Sequence, residues 1–288
     1  MRGTSRQLLL STAAFMGTLI GYGRGANAQC ALVPPSTNTY KCENAVGVTQ
    51  SIPAVDNAYA YTVSGFVAGT SGSPITGSSI QISGEGAIRF VDAVAGTTLV
   101  GTTYGIEITS TGDDVGGGID GSVYVSTNAT IFGYNSSIFA TNNGSGSLEI
   151  IANGDVQRAD IAAIDARNAG TDLKVTTGAD ADIVGSIYGI YASNTGVGNT
   201  DIAVGKKVRA VDYAIYAKTS AATGALTINA ARVESFGYGI YTKHAGTGDL
   251  TITTTGEVTT DLQNNFGRDA IRAINTGGGA IDIKTYAT

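Results

Sequence analysis

Few side chains in this sequence have the chemistry for catalysis, and they stand far apart. The one histidine is His244, in a Lys243-His244-Ala245-Gly246 stretch that reads as a turn. Gly69-Thr70-Ser71-Gly72-Ser73-Pro74 sets Ser71 in a glycine-flanked loop of the kind that exposes a serine nucleophile. Such a serine needs an imidazole within hydrogen-bond reach to take its proton, and His244 follows some 170 residues later. A plain Ser/Gly turn is therefore expected. Asp113 with Asp114, and Asp180 with Asp182, are close in sequence but sit among glycines, where aspartate serves as a turn residue. Gly116-Gly117-Gly118-Ile119-Asp120 is a single poor match to the repeated glycine–aspartate nonapeptide that binds calcium. The expectation is a chain with no catalytic residues, no cofactor and no metal, and not an enzyme.

The two cysteines, Cys30 and Cys42, lie just past a segment with the form of a secretion signal. Arg2 and Arg6 are its basic start, Leu8 to Ile20 its apolar run of 13 residues, and Ala26-Asn27-Ala28 its small-x-small cleavage site. The run is too short to span a bilayer, which takes about 20 apolar residues. Cleavage after Ala28 would leave Gln29 first. Gln29 also argues against lipid attachment at Cys30, where a small residue should precede the cysteine. An even cysteine count in an exported chain suggests a Cys30–Cys42 disulfide. It would close a loop of about 13 residues, worth roughly 3 kcal/mol on the chain-entropy model.

The rest of the chain is a repeat. Tyr188-Gly189-Ile190-Tyr191-Ala192, Tyr213-Ala214-Ile215-Tyr216-Ala217 and Tyr238-Gly239-Ile240-Tyr241-Thr242 recur with isoleucines 25 residues apart. Weaker copies centre on Ile106, Ile138, Ile164 and Ile271, making seven. After each anchor come a Gly/Asn/Thr turn, an alternating strand such as Leu173-Lys174-Val175 or Ile202-Ala203-Val204, and a third apolar position at Val156, Ile183, Val208, Val233 or Val258. One coil cannot bury these apolar residues alone, whereas coils stacked about 4.8 Å apart cover one another. The fold class expected is all-β: a right-handed parallel β-helix of ~25-residue, three-strand coils.

Side chains alternate between faces, so Tyr191, Tyr216 and Tyr241 should form an outward aromatic column. On the second strand the outward residues read Glu149, Lys174, Ala203, Thr227, Thr251 and Asp282, with no neighbouring carboxylates for general acid–base work. The expected organisation is residues 1–28 as signal peptide, 29–101 as an N-terminal cap with the disulfide loop and irregular first coils, and 102–288 as β-helix repeats. Removing Arg2, Arg6 and Arg24 with the leader leaves 14 basic against 23 acidic residues, a net charge of −9. That balance disfavours nucleic acid as a partner.

The leader, the Gly/Thr/Asn-rich coils and phrases such as Tyr-Gly-Ile-Tyr-Ala-x-Asn-Thr-Gly resemble the passenger domains of bacterial autotransporters (type V secretion), over most of residues 60–288. The resemblance implies export by the Sec machinery, then passage through an outer-membrane β-barrel translocator to the cell surface or medium. The chain shows no barrel strands and stops mid-repeat at Tyr286-Ala287-Thr288, as an N-terminal fragment would. The function expected is a non-catalytic structural or adhesive passenger, with a host or matrix glycan or protein as ligand. The alternative is a carbohydrate-active or sugar-binding parallel β-helix.

Overall fold

A computed structural model describes residues 30–54, 57–113, 121–220, 222–260 and 268–286. The expected leader, and the Gly116–Asp120 stretch, lie outside the described residues.

Short β-branched strands separated by Gly, Asn, Ser and Asp turns build a three-sided solenoid. Leu173–Thr177, Asp182–Gly185 and Tyr188–Asn194 make one coil, and Thr200–Val204, Lys207–Ala210 and Tyr213–Thr219 the next. Strands of successive coils pair in parallel, giving sheets of 11, 9 and 9 strands. The exception is Ala31–Leu32, which pairs antiparallel with Thr39–Cys42 at the N-terminal end.

The interior consists of columns. Ile80, Ile106, Ile138, Ile164, Ile190, Ile215, Ile240 and Ile271 are successive register partners on the third side. Beside them runs a column of mostly smaller residues: Ile108, Ala140, Ala166, Ala192, Ala217, Thr242 and Ala273. Large beside small lets three sheets meet round a narrow core at interior packing density. The second side stacks Leu99, Ile131, Val156, Ile183, Val208, Val233 and Val258. Nearly all of these are fully buried.

The regular stack also starts earlier than the repeat suggests. Within residues 29–101, expected as a cap with irregular first coils, Thr39–Cys42, Ala45–Val46, Gln50–Ala54, Ala58–Thr62, Val67–Ala68, Ile80–Gly84, Ile88–Asp92 and Thr98–Gly101 already join the three sheets. The cap proper is the antiparallel Ala31–Leu32 strand, bound to the first coil by the Cys30–Cys42 disulfide. Cys42 is fully buried, and the Cys30 amide donates to Gln50 Oε1 at 2.9 Å.

Candidate functional site

The third sheet carries the feature that the repeat motif encodes. Tyr191, Tyr216 and Tyr241 are register partners whose rings stack at 5.5 and 5.4 Å, with interplanar angles of 4° and 5°. A second column, Tyr188, Tyr213 and Tyr238, stacks beside it at 5.4 and 5.3 Å. The two columns interlock edge to face, as in Tyr188–Tyr191 at 5.2 Å and Tyr213–Tyr216 at 5.4 Å. Strict alternation would place residues three apart on opposite faces. The chain bends at the small residue between them: the register runs from Tyr188 to Ile190 and skips Gly189. A Cβ at Gly189 would lie 2.5 Å from Val208 Cγ2. Gly105, Ser137, Ala163, Ala214 and Gly239 hold the same corner in other coils. The second column was not read from the sequence, although the recurrence of Tyr188, Tyr213 and Tyr238 just before a small residue was its visible signal.

Cations bound this aromatic face. The Arg167 guanidinium lies 5.5 Å from the Phe139 ring centre and 5.4 Å from that of Tyr191. It is held there by a two-pronged bond to Asp165, with Nε and Nη2 each donating at 2.8 Å. At the other end Arg272 stands 5.6 Å from the Tyr241 ring centre and donates to the Tyr238 hydroxyl at 3.1 Å. Burial first, then neighbouring Tyr213 and Tyr216, pushes the Tyr188 phenol above its ordinary pKa.

Lys218 and Lys243 occupy the next outward row, where they are register neighbours. Each has its ammonium near a ring centre: Lys218 at 5.6 Å from Tyr191, Lys243 at 5.5 Å from Tyr241. The Tyr216 and Tyr241 phenols hold Lys243 above the usual lysine range. Lys41, Lys174, Lys206, Lys207 and Lys284 each have a carboxylate within 4.0 Å. Among the described residues Lys218 and Lys243 have none. They line a groove of about 310 Å³ with Thr219, Ala245, Ile274 and Thr276.

Of the side chains first considered for catalysis, His244, Asp113 and Asp182 are tied into the scaffold, and Asp114 lies outside the described residues. His244 is the last residue of the Tyr238–His244 strand, not of a turn, and is buried. Its Nε2 faces the Gly248 carbonyl at 2.9 Å and its Nδ1 the Thr219 hydroxyl at 2.8 Å. Equivalent positions in other coils hold Asn142, Asn168, Asn194 and Asn275, whose side-chain amides bond turn carbonyls such as Gly146 and Gly279. Ser71 lies in a turn closed by the Thr70–Ser73 bridge. That turn is six coils from His244, about 29 Å at the usual strand spacing. Asp182 begins a strand and pairs with Lys206 at 3.0 Å. Asp113 accepts the Ser145 and Gly121 amides, which hold its carboxyl below the ordinary range.

One register expectation is corrected. Lys174 pairs with Asp201, not Ala203, so the outward column reads Glu149, Lys174, Asp201, Thr227, Thr251, Asp282. Thr200 stands where neighbouring coils place Leu148, Leu173, Leu226 and Leu250, and this disguised the start of the strand. Lys174 separates the two carboxylates and bonds Glu149 at 2.9 Å.

Among the described residues, no group of three or more His, Cys, Asp or Glu side chains could hold a metal ion, and no helix is long and apolar enough to cross a membrane. No family model, curated protein or solved structure matches this chain.

Proposed function

We propose that the chain is a non-catalytic structural and adhesive module, exported and displayed at the bacterial surface or released, in the manner of an autotransporter passenger. The observation that carries this reading is how the reactive groups are used. His244 has both ring nitrogens engaged in the turn ladder. Buried Asp92 accepts from Thr62, Thr97 and Thr127, and Asp165 is bound by Arg167. These three groups brace the stack, while the outer faces repeat coil after coil. Such a rod suits a part that spans distance and presents loops and rows of like residues to a partner. Sec export and passage through an outer-membrane barrel belong to the same reading, on the strength of the leader and the repeat style.

The test is fractionation of a Gram-negative host expressing the full chain, combined with external protease and an adhesion assay. Recovery outside the cytoplasm without residues 1–28, with increased cell–cell or cell–matrix attachment, is expected. An unprocessed protein retained in the cytoplasm would contradict the reading.

A sugar-binding function has one observation of its own, the lysine-bearing edge of the tyrosine face.

A further inference from the structure

We propose that the Lys218–Lys243 pair is a binding site for a uronic-acid polysaccharide laid along the solenoid axis, one carboxylate to each of these two coils. This deepens the adhesive reading and rests on it. Two like charges in direct register repel one another, so the pair costs stability in the unbound chain. Every other lysine has a carboxylate within 4.0 Å, Lys206 and Lys207 sharing Asp182, and the chain as a whole is acidic. Two ammonium groups without a carboxylate partner make a local positive patch on such a molecule; on the following coil their row continues as Ile274, while Arg272 stands in the tyrosine row beside Tyr241, within 4.0 Å of Asp269.

The tyrosines decide what kind of anion fits. Tyr216 lies between Tyr191 and Tyr241, and Tyr213 between Tyr188 and Tyr238, so both faces of each inner ring are covered. Bases or sugar rings cannot stack on them. What remains outward is the ring edge, the positive rim of the aromatic quadrupole, and the phenol hydroxyl. This surface suits hydrogen bonds to hydroxyls and carboxylates. Single-stranded nucleic acid draws much of its binding from stacking on aromatic faces, which this face withholds. The lysine spacing also matches a sparse anion. Coils rise about 4.8 Å, so the two register neighbours present one cation on each of two successive coils, and a uronic-acid chain brings one carboxylate per sugar. The groove of about 310 Å³ beside the lysines, which Thr219, Ile274 and Thr276 also line, gives a sugar room next to them.

The experiment measures binding of the purified full chain to polygalacturonate at low and high salt, with dextran and single-stranded DNA as comparisons. The variants are Lys218→Gln/Lys243→Gln and, as a control of equal charge change on another face, Lys206→Gln/Lys207→Gln, each checked for native circular dichroism. Binding that weakens with salt is expected, as screening requires, with a loss of about tenfold in the first variant and little change in the second. No binding to polygalacturonate, equal loss in both variants, or lysine-dependent binding to DNA as tight as to polygalacturonate would overturn the proposal. Adhesion that persists without polygalacturonate binding would leave the adhesive reading standing. Binding by a protein retained in the cytoplasm would remove the adhesive reading and keep the site.

Discussion

His244 occupies a position that other coils fill with asparagine, and it makes the same bond to the carbonyl four residues on. An asparagine there should therefore be nearly neutral. An alanine should leave the buried turn groups unpaired and cost about 1–3 kcal/mol. Urea unfolding of His244→Asn and His244→Ala checks both, and equal losses would contradict the assignment. Thr200 makes the opposite case. It is fully buried in the column of Leu173 and Leu226, and its hydroxyl has no hydrogen-bond partner. Thr200→Val keeps the shape and removes the orphan, so a gain of about 1 kcal/mol is expected in the same measurement.

At the scale of elements, the third sheet and the disulfide cap can be tested separately. Tyr188 is raised from 10.0, chiefly by burial. The unfolded phenol ionises first as the pH climbs, so the contribution of Tyr188 is intact below pH 10.0 and is lost as the pH rises through its folded value. Tyr188→Phe should keep the stack and lose less stability than the parent in this alkaline window. Melting temperatures across that range read the difference, and identical profiles would contradict it. At the other end, the Cys30–Cys42 bridge closes a loop of separation 12. Reduction should cost roughly 3 kcal/mol, with hydrogen exchange rising first at Thr39–Cys42 and its neighbour strand.

These elements were unequally legible in the sequence. The isoleucine and valine columns were plain because each coil repeats the same apolar residue at the same place. Ile80 to Ile82 was legible as a strand between Gly/Ser turns, but not as part of the isoleucine column, because no Tyr-Gly anchor precedes it. Asp201 was displaced by two positions because the polar Thr200 broke the leucine column. The asparagine ladder was hidden by Thr219 and His244, which join it through hydrogen bonds and share no side-chain type with it. The second tyrosine column depends on a corner that alternation does not describe.

For the whole molecule, stability should be nearly a sum over neighbouring coils, as in other solenoids. The rod is about 40 Å long for nine coils at the usual rise. Its last strand exposes Ile281 and Ile283, whose column partners Leu250 and Ile252 are fully buried. Everything inferred about faces, ladders and the lysine row depends on which residues stand beside which in successive coils. That register is tested most directly by cysteine crosslinking on the first sheet. Lys174→Cys/Asp201→Cys should form a disulfide readily under mild oxidation, and Lys174→Cys/Ala203→Cys should not. Crosslinking of the second pair in preference to the first, or of neither, would contradict the stacking described.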